Sequence, residues 1–326
     1  MLDNLVAAVT KTGRITADDV LAFRQAYYGD GRIADSEANA IFAANDAARD
    51  VDPAWCIFFI EAMCDFVVHQ MEPHGHVSDE NARWLMQHID ADGTVGTATE
   101  LDLLIAILEQ AKTVPQSLST YALSQVKHAV VHGAGPLRDG KALLPGVIDE
   151  ADVGLLRRIL YAYAGGGNIA ITTAEAEVLF DINDATTGAN NHSAWDDLFA
   201  KAIANHLMFA SNHSSVSRTE ALRREDWVND TTVNAGGFVV EMVKALRDIY
   251  KVATTQETDS QKARRESYAS AMQTAEEISQ QEGQWLADRI NRDGKLSQAE
   301  RAALLFIKQE ATGIHPALAP LLDRVA

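Results

Sequence analysis

Four loops in this chain place a glycine, a branched apolar residue two positions later and a carboxylate six positions after the glycine. They are Gly13 with Ile15 and Asp19, Gly31 with Ile33 and Glu37, Gly146 with Ile148 and Asp152, and Gly294 with Leu296 and Glu300. Carboxylate oxygens gathered on a tight turn are the ligands that hard divalent cations take, and glycine allows the turn. The same acids, standing just ahead of helices, can instead accept from the free N–H groups of a first turn. Histidine offers a second chemistry. His69, His74 and His76 surround a turn with Glu72 and Asp79, and His128 and His132 stand one helical turn apart, a spacing that suits zinc. The second pair lacks the intervening glutamate of a zinc protease motif, and no third ligand is evident. Hydrogen-bonded or solvated histidines are the simpler expectation for both groups.

The glycine loops resemble the second half of an EF-hand loop. In that superfamily the glycine turns the chain, the branched residue makes a short β contact with a partner loop, and the last acid grips calcium. The resemblance covers the loops and their flanking helices only. It implies a helix-loop-helix organisation and raises calcium as a cofactor. The implied ligands are Asn291, Asp293, Ser297 and Glu300 in one loop, and Asp90, Asp92 and Glu100 in another. Departures from the pattern stand beside them. Arg289 and His88 occupy the first ligand positions, Thr99 stands where the bidentate acid belongs with Glu100 one residue late, and Ala8 and Ala26 open the loops at Gly13 and Gly31. The guanidinium of Arg289 is expected to reach Glu300 and take the place of the metal. The competing expectation is a set of metal-free corners in which the acids are caps and the glycines turn residues.

The elements that must position these loops are helices. Starts are written at Thr16 to Asp19, Asp35 to Glu37, Ser78 to Glu80, Thr173 to Glu175 and Ser297 to Glu300, where hydroxyls and carboxylates can meet the first turn and the positive end of the helix dipole. Asp52-Pro53 opens a long helix containing Trp55. Between starts, apolar residues fall three and four apart, as at Val20, Phe23 and Tyr27 and at Leu101, Leu104, Ile105 and Leu108. The expected fold class is all-α.

The chain also compares with itself. Gly13 to Arg24 aligns with Gly146 to Arg157, and Ile33 to Ala47 aligns with Ile171 to Ala185, keeping Glu, Ala, Phe and the pair Asn-Asp in register. Ala54-Trp55 answers Ala194-Trp195. Trp84 to Val95 answers Trp285 to Leu296, and Pro115 answers Pro316. Two tandem diverged copies are expected, residues 1–130 and 131–326, the second carrying a helical insertion at about 212–280. Asn45-Asp46 and Asn183-Asp184 are read as helix-ending residues, and Trp55, Trp195, Trp84 and Trp285 as core anchors. Gly135 to Ala142 mimics a phosphate-binding loop, but Pro145 and Gly146 end the following apolar run at once; Gly165 to Gly167 reads as a turn.

With 46 acids against 28 bases the net charge is −18, which repels phosphate backbones, so nucleic acid is not an expected partner. Neither a leader nor a membrane span is expected. Cys56 and Cys64, eight positions apart on one helix, cannot bridge each other, so free thiols and a cytoplasmic location are expected. Three functional readings remain, in this order. The first is a non-enzymatic scaffold or regulatory protein that binds another protein with a basic surface, the insertion being its recognition element. The second is a calcium sensor or buffer, and the third a metal-dependent enzyme working through the histidines.

Overall fold

The structure is a computed structural model that describes residues 2–27, 32–90, 96–133, 145–162, 171–209, 277–292, 294–311 and 313–325. Most of these residues are helical, and the few strands are two residues long. The all-α expectation holds at that level. The insertion at 212–280, apart from its last residues, lies outside the described residues, as do Gly31, Asp92, Asp293, the phosphate-loop mimic from Gly135 on and the glycines at 165–167. The chain divides into two compact units, one of Met1–Pro145 with Ala162–Gly166 and one of Gly146–Tyr161 with Gly167–Ala326.

In the first unit, α1 (Leu2–Thr12) packs on α3 (Asp35–Ala47), and α2 (Ala17–Tyr27) runs beside α4 (Pro53–Cys64), which packs on α6 (Ala98–Gln110). The chain leaves α4 through a wider π turn, Asp65–Gln70, then forms α5 (Asp79–Ile89) and, after α6, α7 (Gln116–His132). Short parallel contacts tie the loops together. β1 (Arg14–Ile15) pairs with β2 (Asp50–Val51), Ile15 opposite Val51, and His76 bridges Thr113. The partner of the Gly13 loop is therefore the entry to α4. Gly13 itself holds φ +65 and donates to the Val9 carbonyl, the left-handed ending that closes α1 without a Cβ clash.

Aromatic rings fill this core edge to face. Phe23 meets Trp55 at 5.0 Å, Tyr27 meets Phe58 at 5.7 Å and Phe42 meets Phe59 at 5.2 Å. The Tyr27 hydroxyl donates to the Ala62 carbonyl, so its one polar atom is satisfied inside the core. Trp55 and Trp195 are fully buried anchors as expected, whereas Trp84 and Trp285 are only half-buried, each lending one face to its core.

In the second unit α8 (Glu150–Tyr161), α9 (Thr173–Thr186) and α10 (Ala194–Phe209) are followed, after the insertion, by α11 (Gln280–Ile290), α12 (Gln298–Glu310) and α13 (Ala319–Asp323). α10 packs along α12. β3 (Glu277–Ile278) pairs in parallel with β4 (Gly313–Ile314), and His192 donates its backbone N–H to the Ile148 carbonyl. The cap expected at Thr173 falls one residue earlier, on Thr172, whose hydroxyl accepts from Glu175 N while the Glu175 carboxylate accepts from Thr172 N.

Candidate functional site

The loop acids sit at the starts of α6 and α12, and local hydrogen bonding decides where they point. Thr97 caps α6 by accepting from Glu100 N, and Glu100 reaches back to accept from the backbone N–H groups of Thr97 and Gly96 through Oε2. Its other oxygen, Oε1, accepts from Asn45 Nδ2 at 2.8 Å, and Asn45 Oδ1 accepts from Trp55 Nε1 at 3.1 Å. Glu100 and Asn45 are both buried. A relay of side chains therefore runs from the tryptophan of α4 through the asparagine of α3 to the first turn of α6, and ties three helices at one point.

The same chemistry recurs at the start of α12. Ser297 accepts from Glu300 N, Glu300 accepts from Ser297 N at 2.7 Å, and Asn183 Nδ2 donates to Ser297 Oγ at 3.0 Å. Trp195 Nε1 is buried without a hydrogen-bond partner among the described residues, so the tryptophan end of this second relay is open. Asn45 and Asn183 lie inside α3 and α9. They stand in the last turns, close to the expected helix ends, but their side chains do not terminate the helices: each is a buried polar hub, placed by helical spacing on the same face as Ile41 and Phe42, or Leu179 and Phe180.

The residues at the first ligand positions face away from the loops. Arg289 does not reach Glu300. It is buried against α9, with Nε 3.0 Å from Glu177, Nη2 2.7 Å from Asp181 and Nη1 2.8 Å from Asp184, and with its guanidinium carbon 4.9 Å from the centre of the Phe180 ring. The expected partner Glu300 lost because three carboxylates at helical spacing offer a charge-assisted cradle, one to each guanidinium nitrogen. In the first unit His88 holds the corresponding place, its Nε2 2.8 Å from Asn39 Oδ1 and its ring 4.1 Å from Trp84.

Of the residues implied as calcium ligands, Asn291, Ser297, Glu300, Asp90 and Glu100 are described. Ser297 and Glu300 cap α12, and Glu100 is engaged as above. Asn291 Oδ1 accepts from Arg324 at 3.2 Å. Asp90 ends α5, and its Oδ1 is buried with no hydrogen-bond partner among the described residues. No group of three or more histidines, cysteines or acids stands close enough to hold a metal ion among the described residues. Ser297, Glu300 and Glu100 serve helix starts, while Asp92 and Asp293 lie outside the described residues.

The histidines are similarly engaged. His76 Nδ1 lies 2.8 Å from Thr113 Oγ1, His74 lies 3.0 Å from Glu72, and the rings of His128 and His132 lie 4.8 Å apart, tilted by 50°. A buried histidine that sequence reading passed over, His206, lies 2.7 Å from the Ile171 carbonyl, and burial holds its pKa below the ordinary value. Cys64 is buried and its thiol is pushed up to about 12, first by burial and then by the charges of Asp65 and Glu109, so it stays a thiol at neutral pH. Cys56 is half-buried and its sulfur accepts from Thr99 at 3.1 Å.

Burial pushes the Glu100 carboxyl up, the charge of Asp46 adds to that, and the bonds from Thr97 and Gly96 pull it back. A carboxyl raised in the folded state binds more protons there than in the unfolded chain, so its contribution to stability falls as pH rises through the folded value. Relative to Glu100→Gln, the wild type should gain stability as pH falls through that window and level off below the ordinary value of 4.5. Urea unfolding of both proteins at stepped pH checks this; a difference that is flat or grows with pH contradicts the assignment.

No family model matches this chain, and neither a curated protein nor a solved structure matches it significantly.

Proposed function

We propose that this chain is an acidic helical binding protein, made of two diverged copies of one unit, that acts in the cytoplasm by contact with another protein bearing a basic surface. The observation that carries the reading is the direction of the loop carboxylates. Glu100 and Glu300 are turned inward onto their own helix starts, so what the surface offers a partner is its excess of acid and its exposed apolar edges. The duplication is supported by matching ties: Ile15 with Val51 and His76 with Thr113 in one unit, Ile148 with His192 and Ile278 with Ile314 in the other. The two free cysteines support the cytoplasm. No described helix is long and apolar enough to cross a membrane.

A second reading, a calcium sensor or buffer using EF-hand-like loops, is favoured by one observation: the unpartnered Asp90 Oδ1. The two readings part in one experiment. On the first, the melting temperature of the intact protein is the same in calcium, magnesium and EDTA. A calcium-dependent rise of several degrees, abolished by Asp90→Asn, would replace it with the second, because a ligand that binds only the folded state must stabilise it.

A further inference from the structure

Among the described residues four large apolar side chains are exposed, and three of them, Leu21 at 57%, Val51 at 37% and Ile57 at 60%, lie on α2, β2 and α4. Leu21 stands three positions before Arg24 on α2 and Ile57 four positions before Glu61 on α4, each one turn back from the ion pair that joins the two helices. That ion pair is 2.7 Å long, and Phe23 meets Trp55 on the buried side of the same two helices. α4 has the composition of a helix meant to be covered all round. From Pro53 to Cys64 its only charged residue is Glu61, and its buried face already holds Trp55, Phe58, Phe59, Ala62 and Met63. Helices apolar on every side belong inside proteins, yet Ile57 stands open on the outer face.

The charge around this edge indicates what would cover it. α2 and α4, with the cap ahead of α4, carry Asp18, Asp19, Asp52 and Glu61 against a single base, Arg24, which is already paired with Glu61. An apolar strip rimmed by acid complements a helix with an apolar stripe flanked by lysine or arginine.

We propose that the outer face of α2 and α4, centred on Leu21 and Ile57, is the docking site for an amphipathic helix of a partner protein, with leucine-like residues on the strip and basic residues against the acid rim. This rests on the reading of the chain as a binding protein and names the surface it would use.

The test uses the full chain and two labelled peptides of about 20 residues, long enough to form helices, one of leucine and lysine at helical spacing and one of leucine and glutamate. The leucine-lysine peptide should bind the wild type, and Ile57→Asp and Leu21→Asp should each weaken it by about tenfold or more. Both substitutions add negative charge, so attraction to net charge alone predicts tighter binding, the opposite sign. Both sites are exposed, and unchanged melting curves show that the variants are folded. Equal or tighter binding by the variants overturns this face while leaving the protein a binder of basic helices. Equal binding of the leucine-glutamate peptide overturns the charge argument. Binding of neither peptide overturns the proposed occupant. A dimer in sedimentation that Ile57→Asp disperses assigns the face to a second copy of the chain instead.

Discussion

Arg289→Ala is expected to lower the unfolding free energy by about 3 kcal/mol, the cost of leaving partly buried charges without their counter-ion. Arg289 itself is almost wholly buried, whereas its partners Glu177, Asp181 and Asp184 keep 32–40% of their side-chain surface exposed, so solvent softens the penalty and sets it at the low end of the range for broken buried pairs. Two contributions combine. The guanidinium loses its bonds and its place over the Phe180 ring, and three carboxylates on successive turns of α9 are left to repel one another. They separate by experiment. Raising the salt concentration should recover part of the loss, since it screens the repulsion but restores no packing. Adding Asp181→Asn and Asp184→Asn to Arg289→Ala should also recover part of it, and a double-mutant cycle in urea gives the coupling. A loss below 1 kcal/mol, or one unaffected by salt, would mean that the cluster does not hold α11 to α9.

This cluster shows how far sequence reading reached and where it stopped. Capping was legible at Asp52, Ser78 and Ser297, because a cap is local: a hydroxyl or carboxylate and the N–H groups it serves lie within three residues of each other. Arg289 was legible as a cation at the first ligand position, but not in its destination. The three acids on α9 that received it lie more than a hundred positions away, and they outcompeted the nearby Glu300 through geometry that only the packed helices create. Asn45 and Asn183 carried a readable signal that turn propensity masked. Their spacing from Ile41 and Phe42, or Leu179 and Phe180, puts them on the apolar face of a helix, and an asparagine there must find partners for both its donor and its acceptor. The spacing of glycine, branched residue and acid was plain in the sequence. Whether its acids turn toward a cation or toward their own helix start depends on hydrogen bonds worth about 1 kcal/mol each, which no spacing rule resolves.

Asn45→Asp tests the relay most sharply and is expected to cost about 3 kcal/mol or more at neutral pH. The new carboxylate still accepts from Trp55 Nε1, so the tryptophan end survives, but it replaces the Nδ2 donor that sits 2.8 Å from Glu100 Oε1 with a like charge. Two carboxylates at that distance in a buried site cannot both ionise, and a shared proton restores a hydrogen bond between them. The deficit should therefore shrink as pH falls, in the same sense as the pH dependence set by Glu100 itself, and should be largest where both groups are forced to be charged. Asn45→Ala separates charge from hydrogen bonding: it leaves the Trp55 N–H and Glu100 Oε1 without this partner, costs about 2 kcal/mol, and adds no new titrating group. If Asn45→Asp were as stable as the wild type at neutral pH, the amide would not be donating to Glu100, and the three-helix tie that turns the loop acid inward would be lost with it. Asn45→Ala, melted with and without calcium, also shows whether freeing the carboxylate from α3 lets the loop hold a metal.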